Sequence, residues 1–227
     1  MRNETGDGQA ACHGRILVVD DHPLVLQGMQ QLLSHEPGFE VCGEAANVRE
    51  ALRLVESLSP DLVVVDISLG DSAGGIELIK RVHAQFPEVR TLASSMHDET
   101  LYANRAVQAG AMGYVCKQEP VEKLLDAIRT VLRGEMYLSP AMTSRLLRVR
   151  RTGEPKEVGS PLEELSDREL EVFEAVGRGR STREIAEQMG LSVKTIETHR
   201  ENIKRKLSLS SNTELIQRSF RWILEQE

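Results

Sequence analysis

The feature that most constrains this chain is an alternation that runs from Arg15 to about Gly134. Short, β-branched apolar runs are separated there by segments with the 3.6-residue period of helices. Strands fit Ile16–Val19, Phe39–Cys42, Leu62–Val65, Val89–Ser94 and Gly113–Val115. Helices fit Leu24–Ser34, Val48–Leu58, Ile76–Gln85, Thr100–Ala109 and Val121–Arg133. Asn47, with Glu50 three positions on, has the capping-box spacing, and Pro120 suits a first helical position. Parallel strands need a crossover of helical length between them. Five such units predict an α/β fold, a doubly wound five-stranded parallel sheet.

The remainder lacks strand signals. A helical segment is expected over Ala141–Arg151, after Ser139-Pro140, followed by a linker, Thr152–Pro161, rich in Gly, Pro, Ser and charge. Beyond it, Ser166-Asp-Arg-Glu169 and Ser181-Thr-Arg-Glu184 read as capping boxes and Ser192 as a further cap, with Gly177, Gly179 and Gly190 punctuating. The tail is therefore an all-α unit of four helices, about 167–176, 182–189, 193–207 and 212–225. The division is a flexible tail over 1–14, the sheet domain over 15–138, a linker over 139–163 and the helical domain over 164–227. The apolar runs fall far short of the roughly 20 residues of a membrane span. Met1–Gly14 has no secretory pattern, so a cytoplasmic location is expected. Cys12, Cys42 and Cys116 read as reduced, mostly buried thiols. The six His show no pair at metal-ligand spacing, so no zinc site is expected.

Formal charge is −7, spread as −8 over 1–138, +3 over 139–162 and −2 over 163–227. That balance excludes a broadly basic coat, so any DNA contact must come from a local cluster.

Asp20 and Asp21 follow the first strand, Asp66 follows the third, Ser95 the fourth and Lys117 the fifth. In a parallel sheet these are the carboxyl ends, where open α/β folds place their sites. A carboxylate after one strand is more often a turn former or helix cap. Coincidence at four strand ends favours a pocket. Three converging carboxylates repel unless a cation joins them, and oxygen ligands favour a hard ion that keeps waters, Mg²⁺. Lys117 and the Ser95 hydroxyl suit the charge of a transferred phosphoryl group, with Asp66 as the natural nucleophile.

The tail pairs a helix, a short turn after Gly190 and a second helix, which is a helix-turn-helix. Val193, Ile196, Ile203 and Leu207 are expected to face the core. Lys194, Glu197, Thr198, Glu201 and Arg205 are then left for solvent or DNA. Over 193–207, Lys194, Arg200, Lys204, Arg205 and Lys206 outweigh Glu197 and Glu201 by +3. The DNA-contact candidates are Ser192, Lys194, Thr195, Glu197, Thr198, Glu201, Lys204 and Arg205. Lys and Arg suit phosphates, Glu the N4 amine of cytosine and Thr the thymine methyl.

Residues 15–134 resemble a receiver domain of two-component response regulators, with its flavodoxin-like fold. Leu-Val-Val-Asp-Asp21 resembles the acidic pair, Val-Val-Val-Asp66 the phosphoacceptor, Ser95 in Ser-Met-His the switch hydroxyl and Gly-Tyr-Val-Cys-Lys117 the lysine, with Tyr114 at the aromatic switch position. Residues 164–227 are similar to the LuxR-type (NarL/FixJ) helix-turn-helix domain, through Leu-Ser-Asp-Arg-Glu-Leu-Glu-Val, Arg-Glu-Ile-Ala, Leu-Ser-Val-Lys-Thr-Ile-Glu-Thr-His and Lys206-Leu207. The resemblance implies a transcription regulator, not an enzyme in the ordinary sense, that promotes its own Mg²⁺-dependent aspartyl phosphorylation and dephosphorylation. Asp21, Asp66 and the Ser68 backbone carbonyl would bind Mg²⁺, with Asp20 acting through water. The implied partners are a sensor histidine kinase, double-stranded promoter DNA and a second copy of the chain, paired on phosphorylation. RNA polymerase stays open as a further partner. The family usually has Pro four residues and Gly eight residues after the phosphoacceptor. Here Gly70 replaces the Pro, and Gly74-Gly75 implies a loop one residue longer. Two rival readings are a small Mg²⁺-dependent phosphohydrolase and a receiver that works by protein contact alone. The first wants a second acid two residues past the nucleophile, where Ser68 stands; retention of all five pocket residues opposes the second.

Overall fold

The computed structural model describes residues 14–69, 74–96, 99–140, 142–144 and 161–224. Its sheet has strands β1 (Gly14–Val19), β2 (Phe39–Ala45), β3 (Leu62–Asp66), β4 (Arg90–Ser95) and β5 (Gly113–Cys116). All neighbours are parallel, in the order β2-β1-β3-β4-β5. Helices α1 (Pro23–Ser34), α2 (Val48–Leu58), α3 (Gly74–Gln85), α4 (Glu99–Ala109) and α5 (Val121–Leu132) connect and follow them.

The sheet is buried on both faces, as a parallel sheet must be. Leu26 and Leu33 of α1 with Leu125, Ile128 and Val131 of α5 pack on Ile16, Val18, Leu62 and Val64. Ala51, Val55, Ile79, Val82, Ala103 and Ala106 of α2 to α4 pack on Leu17, Val19, Val63 and Val65. Each fully buried Val, Leu or Ile contributes about 1.5–3 kcal/mol. Every residue of β3 is buried, so the strand that carries Asp66 is among the most firmly seated parts of the molecule.

Several boundaries move. Gly14, assigned above to the tail, is a strand residue pairing with Phe39. β2 runs three residues past Cys42, because Val18 and Val19 continue the ladder to Glu44 and Ala45; Gly43 and Glu44 had broken the apolar pattern. β4 extends to Ser95, so that hydroxyl lies within the sheet. Pro120 is the cap before α5 and not its first residue. Cys42 and Cys116 are free and only half-buried. Met142–Ser144 are helical; the rest of the helix expected over 141–151, most of the linker expected over 152–161, and the proposed tail up to residue 13 lie outside the described residues.

After a 3₁₀ turn at Pro161–Glu164 come α6 (Asp167–Gly177), α7 (Thr182–Gln188), α8 (Val193–Lys206) and α9 (Asn212–Leu224). Both capping boxes form: Ser166 and Ser181 accept from the amides of Glu169 and Glu184, whose carboxylates accept from the serine amides in return. Phe173 of α6 and Trp222 of α9 join the helices, with ring centroids 6.0 Å apart. Gly177 ends α6 where a Cβ would lie 2.6 Å from the Ser219 carbonyl oxygen of α9. It is a close-packing residue, whereas Gly179 and Gly190, at φ of +78° and +62°, make the turns.

Helix α6 rests on the sheet domain. The guanidinium of Arg105 on α4 donates to Asp167 Oδ1 at 2.8 Å and to the carbonyls of Leu165 and Leu162 at 2.7 and 3.1 Å. Lys80 of α3 lies 3.3 Å from Asp167, and the Tyr102 hydroxyl of α4 donates to Glu174.

Candidate functional site

The strand order reverses between β1 and β3, and the crevice at their carboxyl ends holds the acids. Asp20 and Asp66 are buried. Lys117, carried in from the end of β5, places Nζ 2.6 Å from Asp20 Oδ2 and 2.9 Å from Asp66 Oδ2. Its backbone amide donates to the Ser95 carbonyl at 2.7 Å, which ties the lysine to β4. The amide of Ser68 donates to Asp66 Oδ1 at 3.1 Å. Burial raises the Asp66 carboxyl above its ordinary range; Lys117 opposes this and Asp20 adds to it. Burial alone would lower Lys117, but the carboxylates of Asp66 and Asp20 outweigh it and its ammonium is held more firmly than usual. Three carboxylates against one ammonium leave a local charge near −2 in a poorly hydrated crevice, which fits a divalent cation.

His22 belongs to the same cluster. Its Nδ1 is 2.8 Å from Asp21 Oδ1 and 3.2 Å from Asp20 Oδ1, and its amide donates to Asp20 Oδ1. Donor atoms of Asp20, Asp21, His22 and Asp66 all fall within 4.8 Å of one another. A test for histidine pairs misses a lone imidazole whose partners are adjacent carboxylates; the run Asp20-Asp21-His22 was the available signal.

Ser95 and Tyr114 are both buried. Tyr114 packs in the cluster that also contains Leu101, Tyr102 and Ala106 of α4, so its ring points inward. The Gly74-Gly75 departure has a physical reason. A Cβ at Gly75 would run into the Asp66 carbonyl oxygen. Gly74, at φ +68°, lets Glu171 of α6 approach to 3.0 Å from where a Cβ would stand. The start of α3 thus meets the helical tail. Gly70 lies outside the described residues.

On α8, Ser192 caps the helix and its hydroxyl is 2.8 Å from that of Thr195. Ser192, Lys194, Glu197, Thr198, Glu201 and Arg205 are exposed and Thr195 is partly buried, while the Lys204 side chain is only 14% exposed. Ile196 and Ile203 are buried as expected, but Val193 is 43% exposed, because the helix entry lies beyond the core. The +3 cluster also shrinks. Lys206 is turned inward to Glu169 at 2.6 Å, and Arg200 donates to Thr182 at 2.8 Å. Lys194, Lys204 and Arg205 remain against Glu197 and Glu201, and Lys204 is 2.9 Å from Glu201.

Residues 16–129 match the response regulator receiver domain, and residues 163–219 match the bacterial regulatory proteins of the luxR family. The chain is 35% identical over 206 residues to the oxygen regulatory protein NreC of Staphylococcus carnosus (strain TM300), covering 89% of this chain and 95% of that protein. This chain belongs to the NarL/FixJ-type (LuxR) response regulators. A solved LuxR-family response regulator from Aurantimonas sp. SI85-9A1 is 37% identical, at a TM-score of 0.56, over 61% of this chain and 98% of its own. RcsB from Salmonella enterica serovar Typhimurium, solved bound to promoter rprA in the presence of phosphomimetic BeF3-, is 25% identical. It covers 90% of this chain and 97% of its own, at a TM-score of 0.62. In family terms the acidic crevice lies in the receiver and α8 in the LuxR-type DNA-binding domain. No helix among the described residues is long and apolar enough to cross a membrane.

Proposed function

We propose that a sensor histidine kinase passes a phosphoryl group to Asp66 in the cytoplasm, and that the phosphorylated chain binds promoter DNA as a two-fold pair. The observation that carries this reading is Lys117 bridging Asp20 and Asp66 in the crevice. An Asp66 carboxylate oxygen attacks phosphorus, the bond to the donor's imidazole nitrogen breaks, and an acyl phosphate forms. Asp21, Asp66 and the Ser68 carbonyl would hold Mg²⁺, with Asp20 acting through water, and the ion when bound would neutralise phosphoryl charge. Lys117 pairs with the phosphoryl oxygens and the Ser95 hydroxyl donates to them. Tyr114, packed beside α4, then follows the Ser95 position and alters the α4 surface. The receiver comprises 15–138, the linker 139–163 and the effector 164–227.

In the effector, Lys194, Lys204 and Arg205 contact phosphates, while Glu197, Thr198 and Glu201 meet base edges; Ser192 and Thr195 position the helix start. One helix reads only a few base pairs, so a second copy is required. Ile216, Phe220 and Leu224 form an exposed row at i, i+4 and i+8 on α9, and this row suits a two-fold contact. The test is intact-protein mass after incubation with a small-molecule phosphodonor and Mg²⁺, followed by titration of a paired DNA site. One added phosphate and tighter paired-site binding are expected. Equal phosphate uptake by Asp66→Asn would overturn the assignment.

A further inference from the structure

Tyr102 and Glu174 meet where α6 lies on α4, and they are 3% and 4% exposed. A carboxyl group buried in a contact between two domains is costly as an anion and cheap as an acid. The groups facing it come from both sides. From α4, the Tyr102 hydroxyl donates to it and Arg105 lies near; from α6 itself, Arg178 and Glu171 face it. Arg168, paired with Glu171, lines the adjoining cavity of about 80 Å³ with Ser68 of the receiver. That cavity is roomy enough for a water through which a proton exchanges.

We infer that Glu174 is a proton-operated latch between receiver and effector: docking holds it as the neutral acid under the Tyr102 hydroxyl, and its ionisation loosens the docked arrangement. This goes beyond phosphoryl control, because the proton acts at the contact itself without passing through the receiver pocket. Burial pushes Glu174 up from the ordinary 4.5 to about 7, outweighing Tyr102, Arg178 and Arg105, which favour the anion; Glu171 opposes the anion. Separation of the domains exposes the carboxyl and returns it to its ordinary range. The docked state has the raised value, so it binds the proton more tightly. Its stabilisation is complete below about 4.5, is lost as pH rises through about 7, and levels off above that. Between pH 6 and pH 8 the ratio of docked to separated chains falls about tenfold.

Small-angle scattering of the full chain at pH 6 and pH 8 measures the docked fraction without DNA or phosphodonor, so the outcome is independent of the DNA-binding reading. An Arg105→Ala background, which removes the ion pair with Asp167, brings docked and separated forms closer to balance. The expected result is expansion at pH 8, absent in Glu174→Gln, which stays docked at both pH values. Tyr102→Phe retains a pH response, because the carboxyl remains buried. Equal dimensions at both pH values in the Arg105→Ala chain overturn the latch, and so does an unchanged response in Glu174→Gln.

Discussion

The receiver pocket and the outward row of α8 are both charged, but they handle charge in opposite ways. In the pocket, Lys117 lies within 3 Å of two buried carboxylates, and strand ends fix every participant. On α8, Lys194, Glu197 and Arg205 stand in water, where screening reduces a charge pair to about 0–1 kcal/mol. The pocket is organised before its ligand arrives. On the proposed reading, the exposed row gains its intermolecular contacts only when a partner displaces that water. On that same reading, charges of the first kind suit a reaction centre and charges of the second kind a recognition surface.

The sharpest attempt to break this contrast is at Asp66. Asp66→Asn removes the attacking carboxylate but keeps its shape, and intact-mass measurement should show no added phosphate while the fold persists by circular dichroism. Next in size is Gly75→Ala, whose Cβ collides with the Asp66 carbonyl. Thermal or denaturant unfolding should show a receiver weakened by roughly 3 kcal/mol, since overpacking against backbone is hard to relieve. A third test concerns a buried charge pair in the effector. Lys206→Ala leaves the buried Glu169 carboxylate with the Ser166 amide but without its cation and should lower effector stability by about 2 kcal/mol. Burial raises Glu169, but Lys206 and the Ser166 amide outweigh it and hold the carboxyl below its ordinary range. Its stabilisation is therefore present above the ordinary carboxylate range and is lost as pH falls through the depressed value. The wild-type effector should lose stability in acid at that step, and Lys206→Ala should lose less there.

The smaller effects lie on the exposed row. Lys194→Ala should weaken binding to all duplexes by about 1 kcal/mol and reduce the salt slope by roughly 0.9, as loss of one phosphate contact does. Glu197→Ala or Thr198→Ala should change which sequences are preferred, measured by selection from random duplexes. Uniform losses at all three positions would remove the distinction between positioning and base reading. Val193→Ala, at a solvent-facing position, should change stability by less than about 0.5 kcal/mol.

How much was legible follows the same division. The five strands and the placement of Asp20, Asp66, Ser95 and Lys117 could be read because parallel-sheet topology converts strand-end position into spatial proximity. Periodicity also placed Ile196 and Ile203 correctly. It failed at Val193, because helical spacing gives a face but not where the neighbouring surface ends. It could not pair Lys206 with Glu169, and it treated Lys206 as outward charge. The contacts of Arg105 with Asp167 and of Tyr102 with Glu174 join residues 62 and 72 positions apart, a separation over which periodicity carries no register. Glu174 did carry one local signal, a charge four residues after buried Leu170 on the inward side of α6.

The reading row of α8 stays open to water while α6 is seated on the receiver. On the proposed DNA-binding reading, a seated effector still presents that row to solvent, and abundance becomes a second input beside the signal. By mass action, enough copies of the unstimulated chain would occupy the same sites. On that reading, overproduction should mimic stimulation, measured as expression from a paired-site promoter without phosphodonor.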